Sequence, residues 1–457
     1  MRKTLYILFI LFTLAYIVWS LGLMHDRGIL SNDRGLNMER MVSADSAIYQ
    51  AIADGEFPGA VLCVVRRAAD GEQMGCIEYL KAYGNRSVLS QDGKADTLPM
   101  TEDAVFDLAS LSKCVGTTLA FMRLVEDGKV RLTDRVDRYI ENFKPWDSLA
   151  QPTRKIFNKR QKSDKQRVLK REHITIQHLL THTSGLPAYV SAAEVIGYYK
   201  EYSPENGALR DSLITYIATE VDRKRRPGTK VRYSCLNFIT LQAIIETVTG
   251  SRLDKFAEQE VFEPLGLKNT WYNDIDATER PFSEETPIVP TELQRDGKVL
   301  FGEVHDPTAR IINRGVSGNA GVFSTAEDLA VVASMLMNGG ILRFKRDGWQ
   351  GKLGMTEVRR FYSEQTVNRF FQIPDFASEY TRALGWDAAY DRGGCYGDLM
   401  TPNSVASHTG YTGTSMAIDY KRGVAVILLT NRVHPKDKGS LSRTRAVVAN
   451  IAMSALE

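Results

Sequence analysis

Apolar residues follow a helical spacing near the start of the chain and form strand-like runs soon after it. The stretch from Met38 to Ala53 has apolar positions three or four residues apart and stops before Gly55, a residue type that commonly ends helices. Two apolar runs follow, Ala60 to Arg66 and Cys76 to Tyr83, with the hairpin-type turn Asp70-Gly71 between them. This pattern predicts a helix followed by a β-hairpin.

Helical periodicity dominates the middle of the chain, and strand-like runs return near the C-terminus. The predicted helices are one starting near Ser110 and running through Leu124, then Thr175 to Thr181, Asp211 to Ala218, Asn237 to Thr249, Leu253 to Val261, Asp328 to Met337 after a capping box at Ser324 to Glu327, and Arg443 to Ala455. The late strands are Ala383 to Ala388, Val405 to Thr409, Ser415 to Tyr420 and Val424 to Thr430. Strands at both ends predict an α+β fold, in which the termini form a sheet and a helical lobe is inserted between them.

The N-terminal segment 4–24 is apolar and follows Arg2 and Lys3. About 20 apolar residues are enough to cross the hydrocarbon core of a bilayer, so an uncleaved membrane anchor is favoured. A cleaved secretory signal is the alternative, with Ser20 to Gly22 as a small-residue cleavage site. Either interpretation predicts a linker at 25–35 and a main domain at 36–457 on the extracytoplasmic, periplasmic side of the membrane.

Composition and charge exclude several classes of protein. Of the 457 residues, 43% are hydrophobic and 25% are charged, which excludes a disordered or collagen-like chain. The formal net charge is +3, and nine Lys and Arg residues are concentrated in the segment 154–171, which reads as a solvated loop rather than a contact with anionic lipid. The rest of the chain is not basic, so no nucleic-acid partner is expected.

Five cysteines, at positions 63, 76, 114, 235 and 395, form neither a CxxC pair nor a cluster typical of metal sites. Because the number is odd, at least one is not in an intramolecular disulfide. Cys63 and Cys76 flank the predicted hairpin turn and could face each other, although an unbonded apolar environment is at least as consistent with the sequence.

The first candidate for chemistry is Ser110-Leu111-Ser112-Lys113, an S-x-x-K sequence at a predicted helix start. A spacing of three residues places the Ser110 hydroxyl and the Lys113 amine on one helix face. The backbone N–H groups at a helix start can also stabilise a developing oxyanion. These residues therefore suit a nucleophile with an adjacent base, although the motif alone is also compatible with an ordinary capped helix.

Two further segments give the motif its context, Tyr233-Ser234-Cys235 and His408-Thr409-Gly410. With them, the chain resembles the penicillin-recognising serine hydrolases, the group of class C β-lactamases, D-Ala-D-Ala carboxypeptidases and β-lactamase-like esterases. Other stretches typical of the group are Phe57 to Ala60, Phe106 to Ser110, Ile174 to Leu186, Gly321 to Thr325, Ala383 to Asp387 and Thr430 to Arg432. The resemblance extends from about Phe57 to Leu456. It implies a serine β-lactamase-like fold with an antiparallel sheet, an α/β lobe at about 36–109 and 380–457, and a mainly helical lobe at about 110–379.

The resemblance also implies roles for individual residues. Ser110 would be the acylated nucleophile, Lys113 its partner and Tyr233 the general base. The backbone N–H groups of Ser110 and Tyr411 would form the oxyanion hole, with Cys235, His408, Thr409 and Gly410 binding substrate. His182 is expected to fix a loop rather than to take part in chemistry. Acyl transfer of this kind needs no metal or organic cofactor, so neither is expected.

Two positions depart from the usual motifs of the group. Cys235 stands where an Asn usually binds the lysine and a substrate amide, and a thiol is a weak hydrogen-bonding group. His408 stands where many β-lactamases have a lysine. With an ordinary pKa of about 6.5, His408 would attract a substrate carboxylate more strongly as the pH falls.

These features predict a cell-envelope serine hydrolase with its site between two lobes. The expected substrates are peptidoglycan peptides ending in D-amino acids, small esters or β-lactams. One alternative is a catalytically silent binding or scaffolding protein of the same fold. A penicillin-sensing receptor is disfavoured because few residues precede the apolar segment.

Overall fold

A computed structural model describes residues 35–67, 75–147, 170–202, 209–345, 358–388, 394–437 and 439–456. Three features of the sequence fall outside these ranges in whole or in large part: the apolar segment 4–24, the Asp70-Gly71 turn and the basic segment 154–171. Inside them, none of the helices combines the length and apolar character needed to cross a bilayer.

The central element is a seven-stranded sheet in which six strands come from the two ends of the chain and β10 comes from its middle. In spatial order its strands are β10 (Phe344–Lys345), β2 (Gly75–Leu89), β1 (Gly59–Arg67), β14 (Val424–Thr430), β13 (Ser415–Asp419) and β12 (Val405–Thr409), and β3 (Ala95–Pro99) pairs with residues 85–89 of β2. All of these pairings are antiparallel except that between β10 and β2. The strands of the described chain are β1 (Gly59–Arg67), β2 (Gly75–Leu89), β3 (Ala95–Pro99), β4 (Phe106–Asp107), β5 (Trp146–Asp147), β6 (Arg171–Glu172), β7 (Trp271–Tyr272), β8 (Val322–Ser324), β9 (Ile341–Leu342), β10 (Phe344–Lys345), β11 (Arg359–Arg360), β12 (Val405–Thr409), β13 (Ser415–Asp419) and β14 (Val424–Thr430).

Helices cover both faces of this sheet, and most of them come from the middle of the chain. In chain order they are α1 (Met38–Ala53), α2 (Leu119–Glu126), α3 (Ile176–Leu180), α4 (Ala192–Tyr202), α5 (Leu209–Thr219), α6 (Cys235–Thr249), α7 (Leu253–Ala257), α8 (Glu263–Leu265), α9 (Pro307–Ile311), α10 (Ala326–Met337), α11 (Glu364–Phe371) and α12 (Ser442–Ser454). Helices α1 and α12 pack against each other, and α10 packs against β1 and β14 on the opposite face.

The central position of strand β1 in the sheet explains why its sequence is a continuous apolar run. Val61, Cys63 and Val65 belong to the core shared with α10 and the helical lobe. Ala60, Leu62 and Val64 belong to the core beneath α1 and α12. Because successive side chains point to opposite faces, a strand buried on both faces needs apolar residues at every position.

The predicted elements at the two ends of the chain are confirmed with bounds that agree within one residue, except that β2 extends six residues beyond the predicted Tyr83. The helix predicted from Met38 to Ala53 is α1, and the late strands correspond to β12, β13 and β14. In contrast, the segment Ala383 to Ala388 is not a strand. It forms a tight turn instead, whose Arg382 and Asp387 pair across it while Asp387 also pairs with Ser407.

Three details of the core bear on the predictions. Helix α10 begins at Ala326, two residues before the predicted Asp328, and its N-cap is Thr325 instead of Ser324, because Thr325 Oγ1 accepts the hydrogen bond from the Asp328 N–H at 3.3 Å. The register of the β1–β2 pair places Cys63 opposite Leu80 and Cys76 opposite Arg66, so these cysteines do not face each other. Helix α10 and strand β10 lie within the segment of about 110–379 that was expected to form a mainly helical lobe, and both contact the main sheet.

Candidate active site

Ser110 lies in a tight turn directly after the short strand β4. The carboxylate of Asp107 accepts hydrogen bonds from the backbone N–H groups of Ala109 at 2.8 Å and His305 at 2.7 Å. Ala109 has a φ of 46°, a left-handed conformation that costs a non-glycine residue about 1–3 kcal/mol. A turn of 3-10 helix and a π-helical segment (Lys113–Thr118) then lead into α2. The predicted helix near Ser110 is present, but its first turns are not α-helical.

Lys113 is fully buried behind the nucleophile and contacts it directly. Its Nζ donates to Ser110 Oγ at 2.9 Å, to the Asn319 carbonyl at 2.8 Å and to Cys235 Sγ at 3.7 Å. Burial alone disfavours the ammonium, but attraction to the Cys235 thiol and the Tyr233 phenol outweighs it and raises the pKa of Lys113. The spacing of three residues therefore gives the contact predicted from the sequence.

Tyr233 is the third residue of this group, with Ser110 and Lys113. It directly precedes Ser234, the N-cap of α6. The Lys113 Nζ lies 5.1 Å from the centre of its ring. Burial raises the pKa of Tyr233, and the charge of Lys113 and hydrogen bonds from Lys113 and Ser110 oppose this increase without cancelling it. The pair thus holds an ammonium and a phenol whose protonation states depend on each other.

His182 holds the segment that carries Tyr233, whereas the sequence predicted only that it fixes a loop. Its Nδ1 accepts hydrogen bonds from the Ser234 N–H at 3.1 Å and from Asn237 Nδ2 at 3.0 Å, and its ring centre lies 4.5 Å from that of Tyr233. Burial, followed by the charges of Arg382 and Lys113, lowers the pKa of His182, which keeps the ring neutral and Nδ1 available as an acceptor. Asn237, which is buried, was not predicted as a site residue. The available signal was a single amide within the apolar sequence of α6.

The segment after β12 docks on the residues that precede Ser110. Thr412 Oγ1 donates to the Asp107 carbonyl at 2.7 Å, and Thr414 Oγ1 donates to the Leu108 carbonyl at 2.9 Å. A Cβ atom at Gly410 would lie 2.3 Å from the Leu108 carbonyl oxygen, so only glycine permits this approach. The turn containing Gly410 and Tyr411 is therefore held against the start of the Ser110 helix.

His408 lies in this site, but the charge role expected for it is wrong. It is 5% exposed, and its Nδ1 lies 2.8 Å from the Thr409 carbonyl, which can only accept a hydrogen bond. Burial, followed by the charges of Arg382 and Lys113, lowers the pKa of His408 to about 3. The imidazole is therefore neutral with its proton on Nδ1, and Nε2 is an acceptor. Nε2 is buried and has no hydrogen-bond partner within the described residues.

These groups open onto a cleft of about 770 Å³. Of the residues predicted for the site, Ser110, Tyr233, His408, Thr409, Gly410 and Tyr411 line it. Lys113 and Cys235 lie behind this wall, joined to it by the contact between Lys113 and Ser110. Across the described ranges of the chain, no group of three or more His, Cys, Asp or Glu residues is arranged to hold a metal ion.

Three arginines lining the cleft were not predicted: Arg382, Arg432 and Arg445. Arg432 donates to the Tyr411 carbonyl and to Asp437, and Arg445 donates to the Gly410 and Thr414 carbonyls. These two arginines brace the turn after β12. Arg382 immediately precedes the apolar segment that was misassigned as a strand, and a charged residue at that boundary was the available signal.

Comparisons with known proteins agree on the family. A family model described as Beta-lactamase matches residues 44–450. The chain is 33% identical to an N-acetylmuramyl-L-alanine amidase of Bacillus subtilis (strain 168), across 94% of this chain and 91% of that protein. It is 29% identical to a protein of Escherichia coli (strain K12) named "Putative D-alanyl-D-alanine carboxypeptidase", across 88% of this chain and 84% of the relative. Among solved structures, a penicillin-binding protein homologue from Pyrococcus abyssi has the same fold, with a TM-score of 0.57, 19% identity, and coverage of 91% of this chain and 76% of that one.

Proposed function

The chain belongs to the β-lactamase family, and on that premise we propose that it is a cell-envelope serine hydrolase that forms an acyl-enzyme at Ser110. The observation that carries the proposal is the 2.9 Å contact between Lys113 Nζ and Ser110 Oγ, with Tyr233 beside both groups. Nucleophile, proton acceptor and a helix start lie together at the wall of one cleft, which is the arrangement that acyl transfer requires.

In the first step, Ser110 Oγ attacks the substrate carbonyl carbon and forms a C–O bond. Its proton passes to the Lys113–Tyr233 pair in the state in which that pair has lost one proton. The backbone N–H groups of Ser110 and Tyr411 stabilise the oxyanion of the tetrahedral intermediate. The intermediate collapses when the bond to the leaving group breaks, and the leaving group takes a proton from Tyr233.

In the second step, water loses a proton to the same pair and attacks the acyl-Ser110 ester. The C–O bond to Ser110 breaks, the acid is released, and Ser110 Oγ recovers its proton. Lys113 remains the donor that holds Ser110 Oγ and stabilises negative charge on Tyr233 throughout.

The proposed substrates are amides and esters of peptidoglycan peptides. The names of the relatives support this class, since one is an N-acetylmuramyl-L-alanine amidase and the other carries a D-alanyl-D-alanine carboxypeptidase name. Such substrates lie outside the cytoplasmic membrane, which supports the proposed envelope location.

The test is product formation from three substrates: an N-acetylmuramyl-L-alanyl peptide, a peptide ending in D-Ala-D-Ala, and a short-chain nitrophenyl ester. Mass spectrometry should show cleavage of at least one of the two peptides by the wild-type chain. Ser110→Ala should lower that rate by about 10³-fold or more, because the nucleophile is lost. If no substrate is cleaved, the proposal fails in favour of a catalytically silent binding protein of the same fold.

A further inference from the structure

A second cavity, of about 670 Å³, lies between α11, the start of β12 and the end of β13. Its walls carry the amide side chains of Gln365, Asn368, Gln372 and Asn403 and the aromatic rings of Phe371 and Tyr420. We call the cavity bounded by these six residues the α11 groove. The proposed acyl transfer uses none of them.

One face of α11 supplies three of the four amides. Gln365, Asn368 and the C-cap Gln372 are spaced three and four residues apart, so they lie on the same side of the helix. All three are exposed, whereas Val367 and Phe370 on the other side are buried in the core. Among the described residues, none holds the side-chain amides of Gln365 and Asn368 by a hydrogen bond, so both are available to a ligand.

Tyr420 gives the groove a fixed aromatic wall. Its ring stacks on Phe371, with 5.3 Å between the ring centres and 27° between the ring planes. Its hydroxyl donates to the Asn403 carbonyl at 2.9 Å, which restricts the ring further. Beside it lie the buried apolar side chains of Ala388 and Val405. An aromatic wall above an apolar floor suits the C–H face of a sugar ring and the methyl of an acetamido group.

The polar groups of the groove select the same kind of ligand. A primary amide donates and accepts hydrogen bonds at once, as sugar hydroxyls and acetamido groups also do. Among the described residues that line the groove, Arg369 is the single charged one, and its Nη1 lies 3.4 Å from Gln372 Oε1. The lining therefore fits a neutral N-acetylated saccharide better than a polyanion or an acyl chain.

The α11 groove adjoins the catalytic cleft. Ala388 and Val405 line the groove, whereas Asp387 and Ser407 line the cleft. Asp387 and Ser407 exchange two backbone hydrogen bonds of 2.8 Å, and this pair lies between the two sites. Along β12, Val405 is three residues from His408 in the cleft, a distance of about 10 Å in an extended strand. One substrate molecule is therefore long enough to occupy both sites.

We infer that the α11 groove binds N-acetylated sugars of the glycan to which the substrate peptide is attached. The inference rests on the proposed function for the identity of the substrate, because the peptides of peptidoglycan are carried by such a glycan. It goes beyond that function in assigning the glycan a site of its own, which binds sugar in the absence of any peptide.

Equilibrium binding of a peptide-free sugar to Ser110→Ala protein tests the inference without any turnover. The probe is tri-N-acetylchitotriose, and cellotriose, which lacks the acetamido groups, is its matched comparison in isothermal titration calorimetry. We expect chitotriose to bind at least about fivefold more tightly than cellotriose. Adding Gln365→Ala or Asn368→Ala should weaken chitotriose binding by about threefold to tenfold, because each removes hydrogen bonds to the ligand.

Two substitutions of Tyr420 test the aromatic wall. Tyr420→Ala should weaken chitotriose binding by at least about tenfold, whereas Tyr420→Phe keeps the ring and should retain most of it. The melting temperature of each variant reports whether it is folded, and the exposed positions Gln365 and Asn368 keep the test valid if Tyr420→Ala is not. Tyr49→Ala and Gln50→Ala change an exposed ring and an exposed amide on α1, and both controls should leave binding unchanged.

Three results would overturn the inference: no binding of chitotriose, equal binding of cellotriose, or binding that survives both Gln365→Ala and Asn368→Ala. Displacement of chitotriose by a sugar-free stem peptide would also overturn it, by showing that the groove binds peptide. A chain that binds chitotriose as expected but cleaves no peptide would count against the proposed function and would leave the groove assigned to sugar.

Discussion

Position 408 shows how a residue's chemistry depends on neighbours that are distant in sequence. The motif His408-Thr409-Gly410 was correctly placed beside Ser110, but the ordinary pKa of histidine misled the prediction of its charge. Arg382 and Lys113 approach the imidazole from other parts of the chain, and burial removes the water that would solvate an imidazolium. None of these influences is visible in the motif itself, whereas the spacing of Ser110 and Lys113 is local and was sufficient to predict their contact.

The neutral state of His408 gives a specific pH dependence. Because burial and the charges of Arg382 and Lys113 lower its pKa to about 3, the ring stays neutral from pH 6 to 8, and the pKa of Lys113, which faces it, is raised above its usual value. Tyr233, which also faces it, has a raised pKa and affects every substrate through the common base. The kcat/KM ratio for paired carboxylate and carboxamide substrates should therefore vary by less than about twofold between pH 6 and 8. A ratio that rises steadily as the pH falls from 8 to 6 would show that His408 does titrate in this range.

At the scale of elements, apolar periodicity predicted the helices and strands that bury a continuous face. It failed for segments whose structure depends on contacts with residues distant in sequence. Helix α1 and strands β12 and β14 were predicted with their observed bounds. Strand β3 is exposed at all five positions, so it has no apolar alternation to detect. The segment Ala383 to Ala388 is apolar because it is buried between the sheet and the helical lobe. In the sequence, a short buried turn of this kind has the same apolar pattern as a buried strand.

The first turn of α10 contains a buried carboxylate that should affect stability as the pH changes. Asp328 accepts hydrogen bonds from the Asn269 N–H at 2.7 Å and Thr270 Oγ1 at 2.8 Å. Burial outweighs these bonds and raises its pKa from 3.8 to about 6. The folded state therefore holds this proton more tightly than the unfolded state, and the resulting stabilisation is complete below about pH 4 and lost as the pH rises through about 6.

Thermal unfolding of the wild-type chain and Asp328→Asn checks this expectation. The amide cannot titrate, so the melting temperature of the wild-type chain relative to the variant should fall between pH 4 and 6 and then become constant. Glu364→Gln changes an exposed acid in the first turn of α11 and serves as the matched control. A wild-type advantage that grows with pH would have the opposite sign and would contradict the account of Asp328.

At the scale of the whole molecule, the fold is closed by contacts between the two ends of the chain. Strand β1 pairs with β14 from Ala60–Thr430 to Arg66–Val424, and α1 packs on α12. The sequence predicted this arrangement because both ends carry strands and helices with apolar faces. It could not predict that β10 joins the sheet and that α10 packs against it, since their apolar pattern fits a helical lobe equally well.

Asn431 joins these ends through one buried amide. Its Oδ1 accepts from the Gly59 N–H at 2.8 Å, and its Nδ2 donates to the Asn85 and Arg86 carbonyls, each at 2.9 Å. Asn431→Ala would remove all three bonds and should lower the free energy of unfolding by about 3 kcal/mol, because buried polar groups lose their partner. Denaturant unfolding measures the change, with Asn368→Ala at an exposed position of α11 as the control, expected within about 0.5 kcal/mol of wild type. Equal stability of the two variants would show that Asn431 does not hold the ends together.

The central claim is that Ser110 is the nucleophile, and intact-protein mass spectrometry after treatment with a fluorophosphonate tests it most directly. The wild-type chain should gain the mass of one adduct, and Ser110→Ala should gain none. Ser112→Ala is the matched control, since Ser112 lies in the same motif but is buried and accepts a hydrogen bond from the Val322 N–H at 3.0 Å. This control should be labelled like the wild-type chain. A wild-type chain that gains no adduct, or labelling that persists in Ser110→Ala, would contradict the assignment of Ser110 as the nucleophile.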